Sequence, residues 1–391
     1  MRKLVVVVMA ALAVLLLLPN AQAGLVAAAP TTTVELTSDL PSGQPVGTTI
    51  VWTVSTDSPD PADFRLRVSR SGEPLRVMYD FRLDNTFEWT PIEDGLYTVV
   101  GTARNTLTGE TIEAVRQFVI LPRSVQDPII SATNHPLVAL YSAPACPAGY
   151  TMRVVFKLVT EPRLSATNHK PCQQAHSTNL YIAGMRERSL YAMFHEIRDA
   201  DGTPVSYGPT RYFRTGQIEI DMFDRTLLNQ PGPAVSFVDN LILWQPVIGT
   251  PAVWPNTVVT DLYGRPVWYD DTSNGNPNSL VSLLVRPVEG GTFLLLAPDE
   301  GLDGQFLREI DLAGNTVQET NIGRIREQIV PTNPAEYIGS IHHEARRLPN
   351  GHTAIIASVE QIHEDVQGSG PVDIYGEYVI VLNRNFQVAW S

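Results

Sequence analysis

Beyond its first two dozen residues this chain shows almost no helical periodicity. Apolar and polar residues alternate instead over short runs rich in Val, Ile, Thr, Tyr and Phe, and Gly, Pro, Asn and Asp punctuate the runs. A period of two turns one face of each run inward, so the pattern predicts an all-β chain. The first runs are Thr33–Leu36, Thr49–Val54, Phe64–Ser69, Phe87–Thr90, Tyr97–Ala103 and Ile112–Ile120, with turns at Pro41-Ser42-Gly43 and Asp94-Gly95. So many short strands in so few residues predict two packed sheets over residues 30–122, and Leu121-Pro122-Arg123 begins a linker.

That spacing is immunoglobulin-like. A second module is expected over residues 129–216. Leu180-Tyr181-Ile182-Ala183-Gly184-Met185, followed by Ser189 and Tyr191, resembles a fibronectin type III module, in which a tyrosine corner fixes the strand after a turn. Phe213-Arg214-Thr215-Gly216 resembles its end. Ser131–Pro136 and Ser165–Lys170 repeat a six-residue phrase that reads as packed loop. His135 and His169 as two ligands of one metal ion are the alternative there.

From about Ile218 a longer repeat takes over. Asp261-Leu262-Tyr263-Gly264-Arg265-Pro266-Val267 returns as Asp311-Leu312-Ala313-Gly314-Asn315-Thr316-Val317, and Leu382–Val388 is a degenerate third copy. Arg286–Ala297 and Arg347–Ala357 share a second phrase. Units of about 50 residues built from strand, turn and strand read as propeller blades. Two are clear, a third starts near Tyr378, and Ile218–Trp244 supplies a possible further one. A closed propeller needs at least four. Residues 217–391 are therefore expected to form a partial propeller, and the chain to be part of a longer protein.

The beginning of the chain sets a compartment. Arg2 and Lys3, the apolar run Leu4–Leu18 and the ending Ala21-Gln22-Ala23 have the form of a secretory signal over residues 1–23. An exported protein without membrane insertion is expected. There are 41 acidic and 28 basic residues, a net charge of −13 with no basic stripe, which argues against nucleic acid as a partner. Cys146 and Cys172 are the only cysteines, and in an oxidising compartment two thiols predict one disulfide.

Candidate chemistry concentrates in Ser340-Ile341-His342-His343-Glu344-Ala345-Arg346-Arg347-Leu348-Pro349-Asn350-Gly351-His352. Strand alternation would put His343, Ala345 and Arg347 on one face and His342, Glu344 and Arg346 on the other. Either face then offers an imidazole, able to act as nucleophile, base or oxyanion donor near neutral pH, beside a guanidinium shaped to hold an oxyanion. Glu344 is a carboxylate that can fix a histidine tautomer. The spacing lacks the second histidine of a zinc-protease helix. A cupin-like metal site from His342, His343, Glu344 and His352 stays open, as does a bland reading as polar strand residues. His363 is expected in a loop and His195 as a packed or half-exposed strand residue.

Ile341–Ala357, with Asp311–Thr320 before it and Tyr378–Trp390 after it, resembles the bacterial aryl-sulfate sulfotransferase family. The resemblance extends from about Ile129 onward and is most specific in the histidine-plus-Pro-Asn-Gly phrase. It implies a β-sandwich before a six-bladed propeller, export, and transfer of a sulfo group from a phenolic sulfate to another phenol through a sulfo-histidine. No nucleotide cofactor is implied, nor any metal. By that match His343, or alternatively His342, would hold sulfuryl oxygens or assist the leaving phenolate, with Arg346, Arg347 and Glu344 as substrate-binding neighbours. The family's nucleophile belongs to later blades, so this chain alone is expected to be inactive. The competing expectation is a non-enzymatic adhesion or glycan-binding protein, presenting aromatics such as Trp268, Tyr269, Trp254 and Trp244.

Overall fold

Alternation in the sequence carries directly into burial. Along Ile50–Thr56, Ile50, Trp52 and Val54 are buried and the residues between them are not. The computed structural model describes residues 32–218, 226–232, 241–245, 257–270, 284–298, 305–329 and 336–391. The leader expected over residues 1–23 and Trp254 lie outside them.

The first module contains β1 (Val34–Ser38), β2 (Gln44–Pro45), β3 (Ile50–Thr56), β4 (Ala62–Arg70), β5 (Arg76–Arg82), β6 (Thr86–Trp89), β7 (Gly95–Asn105) and β8 (Thr111–Leu121). Sheet β1-β3-β6 faces sheet β2-β8-β7-β4-β5, which is the immunoglobulin and fibronectin type III arrangement. Trp52, Phe87, Trp89 and Phe118 fill the space between the sheets. The Tyr97 hydroxyl donates to the Glu93 carbonyl at 2.8 Å, a tyrosine corner at the start of β7. Strand β5 was not among the expected runs, because Val77 to Phe81 are all buried and no alternation marks them.

The second module contains β9 (Ile129–Ala132), β10 (Ala139–Ala143), β11 (Thr151–Leu158), β12 (Ser165–Ala166), β13 (Lys170–Pro171), β14 (Thr178–Ile182), β15 (Leu190–Arg198), β16 (Pro204–Tyr207) and β17 (Arg211–Arg214). Sheet β9-β10-β14 packs on a sheet centred on β11 and β15. Here the Tyr191 hydroxyl accepts from the Arg186 amide at 2.9 Å, as the sequence led one to expect. Cys146 and Cys172 form a disulfide with a Cα separation of 5.3 Å. The modules meet where Asp94 accepts from the Ser177 amide at 2.9 Å and from its hydroxyl at 2.6 Å, with His176 Nδ1 at 2.8 Å.

The third region consists of antiparallel meanders. The first is β18 (Ile242–Trp244), β19 (Val258–Thr260) and β20 (Pro266–Tyr269). The second is β21 (Leu284–Val288), β22 (Thr292–Pro298), β23 (Gln305–Asp311) and β24 (Thr316–Asn321). Helix α1 (Ile322–Ile329) leads to the third, β25 (Glu336–Arg347), β26 (Thr353–Glu364), β27 (Pro371–Leu382) and β28 (Val388–Trp390). Among the described residues no sheet closes on itself, so the expected propeller is not shown and the region is a set of antiparallel meanders. The region also carries a connection that the sequence did not announce. Strand β24 pairs in parallel with β5 through Glu319 and Tyr79, joining the first module and second meander into one nine-stranded sheet. Glu319 is held there by Arg82 at 3.0 Å and Arg308 at 2.5 Å.

The sequence repeats are one turn used three times. Asp261 Oδ1 accepts from the amides of Tyr263 and Arg265, and Asp311 Oδ1 from those of Ala313 and Asn315. Asn383 Oδ1 does the same for Asn385 and Gln387, so the third copy is offset by one residue from Leu382. The left-handed position is Gly264 (φ 73°), Gly314 (φ 85°) and, in the third copy, the buried Phe386 (φ 55°). Each turn lies before the last strand of its sheet. The phrase near Tyr378 therefore ends a meander that begins at Glu336, rather than opening a new one.

Candidate functional site

Strand β25 does not alternate through its histidines. Its ladder with β26 runs to Ile338–Val359, resumes at Ile341–Ala357 and resumes again only at Ala345–Ile355. Four residues on β25 thus span two on β26, and His342, His343 and Glu344 bulge out between buried Ile341 and Ala345. His343 sits at φ 61°, a left-handed conformation that costs a residue with a Cβ about 1–2 kcal/mol. The expected faces are therefore wrong, since a bulge shifts the register of every side chain beyond it.

The break is built rather than frayed. Gln305 donates to the Ile341 carbonyl at 3.0 Å and accepts from its amide at 2.6 Å. Ser358 Oγ accepts from the Ser340 amide at 2.9 Å, and Arg326 donates to the carbonyls of Ile338 and Gly339. Side chains thereby replace the missing ladder bonds, as buried backbone groups require.

His342 and His343 come together, their rings edge to face with centroids 4.7 Å apart. His342 Nε2 lies 3.3 Å from Glu377 Oε2, on β27, while its buried Nδ1 has no hydrogen-bond partner. The His343 side chain is exposed. Arg346 is exposed too and forms no ion pair among the described residues. The other two neighbours are engaged elsewhere. Glu344 takes Arg286 at 2.9 Å instead of orienting a histidine, and Arg347 pairs with Glu309 and donates to the Gly351 carbonyl at 2.9 Å. Sequence reading missed Glu377, because only the β26–β27 register, with Ser358 opposite it, brings it to the histidine. The arrangement can present an imidazole and a guanidinium to an oxyanion.

His135 is buried, accepts from the Leu137 amide at 3.1 Å and meets the Tyr269 carbonyl at 2.9 Å, whereas His169 sits near Thr151. They do not share a site. His363 lies within β26, not in a loop, and bonds Gln361 at 2.9 Å. Among the described residues no three metal-ligating side chains converge, so the cupin-like set of His342, His343, Glu344 and His352 does not assemble. Trp268 and Tyr269 are core residues, Trp268 stacking on Phe293 at 4.3 Å. They offer no glycan platform. Trp244 is half exposed, its indole N–H bonded to Thr260 at 2.9 Å.

No family model and no curated protein matches this chain. A two-domain fibronectin type III segment of chicken tenascin is a similar solved structure, with 12% identity and a TM-score of 0.21. The match covers 47% of this chain and 100% of that one.

Two cavities lie away from His342 and His343. One of about 240 Å³ opens where the three regions meet, lined by Glu88, His135, Asp270 and Arg308 among others. The other, of about 190 Å³, separates the second module from the first meander. Neither is lined by His342 or His343.

Proposed function

We propose that this chain is part of an exported enzyme that moves a sulfo group between phenols, with the His342–His343 bulge holding sulfuryl oxygens. The observation that supports it is His343 itself. An exposed imidazole is kept in a strained backbone conformation by a bulge whose flanking backbone groups are held by side chains, Ile341 by Gln305 and Ser340 by Ser358. Strain of that kind collects at functional sites. The disulfide Cys146–Cys172 fits an oxidising compartment.

In this reading His343 donates an N–H to a sulfuryl oxygen or a proton to the departing phenolate, and Arg346 supplies positive charge. A histidine outside this sequence would attack sulfur, the sulfur–oxygen bond to the first phenol would break, and a second phenol would then displace the imidazole. The meanders would be blades of a propeller completed by that further sequence.

The test uses the full-length protein with an aryl sulfate donor and a phenol acceptor. His343→Ala should lower transfer by about 10²–10⁴-fold, and mass spectrometry of the wild type should find a sulfo group on histidine. Unchanged transfer in the variant removes His343 from the site. Absence of both transfer and adduct in the wild type would favour the non-enzymatic adhesion reading.

A further inference from the structure

The capped turns put equivalent residues on the face that one meander turns to the next. Val259 and Trp268 pair across β19 and β20 on the side of the first meander that meets the second. Trp268 is 3% exposed, stacked on Phe293 at 4.3 Å. Its indole N–H donates at 2.8 Å to the Leu312 carbonyl, one residue past the turn residue Asp311. In the second meander Glu309 and Gln318 hold the same two places, and Glu309 pairs with Arg347 of the third.

In the third meander these places fall to Val381 and Trp390, the same residue pair as in the first. They stand to Asn383 as Val259 and Trp268 stand to Asp261. Here the face is open. Trp390 is 61% exposed, and Val379, on the same side of β27, is 49% exposed. Among the described residues no ring stacks on this indole and its N–H has no acceptor. The alternate residues Ile380 and Leu382 are buried against the second meander, so the exposure belongs to one face of the sheet. Exposed apolar surface of this kind marks a contact site, and a tryptophan, with a large ring and a single N–H, is suited to anchor it.

A second copy of the chain cannot repeat the contact that Trp268 makes. That contact needs the rear face of a meander, and among the described residues every rear face is taken. Val258 and Tyr269 pack on Leu137 of the second module, Phe293 and Leu295 on the first meander, and Ile355 and Leu382 on the second.

We propose that Val379, Val381 and Trp390 dock a further β-meander of this protein. Its rear face sets a ring or a branched side chain against the indole, and its capped turn offers a carbonyl to the indole N–H. The proposal rests on the continuation of the meanders in the function proposed above, and not on sulfo transfer.

Hydroxyl-radical labelling read by mass spectrometry tests it on the full-length protein, with the 391-residue chain as reference. Trp390 should label as slowly as Trp268 in the full-length protein and lose that protection in the reference. Trp390→Ala should lower the Tm of the full-length protein and leave that of the reference unchanged, whereas Trp268→Ala should lower both. If Trp390→Ala does not fold, the labelling of the wild type decides alone. Equal labelling of Trp390 in the two proteins overturns the docking face. So does protection that appears only as dimers form with rising concentration, which assigns the face to a second copy. Protection of Trp390 without sulfo transfer sinks the reaction and leaves the face standing, and transfer without protection does the reverse.

Discussion

Strand β3 in the first module and β22 in the second meander are both rich in apolar residues, yet they are buried in different ways. Strand β3 turns Ile50, Trp52 and Val54 toward a core that its own module nearly completes, with Leu140 and Tyr181 added from the next one. Strand β22 has buried residues on both faces. Leu294 and Leu296 enter a core shared with α1 and the third meander, while Phe293, Leu295 and Ala297 enter another shared with the first meander and with Val138 of the second module. A sandwich contains both layers that it needs. A meander borrows them from its neighbours, as repeat units do.

The largest expected effect tests that difference directly. Trp52→Ala should cost about 3–5 kcal/mol and Leu294→Ala about 2–5 kcal/mol. The two should differ in reach. Native-state hydrogen exchange should show deprotection largely within Val34–Leu121 for the first, and across both the second and third meanders for the second. Deprotection restricted to Leu284–Asn321 in Leu294→Ala would mean that the meanders do not share their cores.

The same contrast explains what could be read from sequence. Strands with one wet face, such as Ile50–Thr56, announce themselves by alternation, and the tyrosine corner at Tyr191 was legible from its local phrase. Asp261 and Asp311 were visible as a repeat because a side-chain oxygen capping two amides two and four residues on is a local device. Strand β5 was not visible, because burial of consecutive residues erases period two. Helix α1 was overlooked although its signals are local. Asn321 caps it by accepting from the Arg324 amide at 2.9 Å, and Ile322, Ile325 and Ile329 form its buried face. At the candidate site the histidines were legible and their surroundings were not. The bulge at His343 depends on Gln305, and the diversion of Glu344 depends on Arg286, both remote in sequence.

Next in size is the covalent tie within the second module. The disulfide spans a sequence separation of 26, for which loop closure gives about 3.5 kcal/mol. Replacing Cys146 and Cys172 together by Ala should lower the denaturation midpoint accordingly. The sandwich β9–β17 should lose protection first, with the third meander barely affected. Equal loss in the third meander would show the two regions unfolding as one unit, and would blur the comparison.

The smallest effect separates the regions by sign. In the second module burial pushes the His195 imidazole below its usual 6.5, and its Nδ1 lies 2.9 Å from the Tyr141 hydroxyl, which can donate to the neutral ring. The unfolded chain takes up that proton more readily, so His195 contributes its full stability above about pH 6.5 and loses it as pH falls through the lower folded value. In the second meander burial raises the Asp311 carboxyl above its usual 3.8, against the bonds from Asn315 and Ala313. There the unfolded chain ionises first, so Asp311 costs stability above that pH and the cost fades as pH drops toward it. Between pH 7.5 and 5 the second module should therefore lose protection that His195→Gln retains, since glutamine accepts from Tyr141 without titrating. A Tm profile for His195→Gln that falls as steeply as the wild type over this range would remove His195 as the acid-sensitive group of its module.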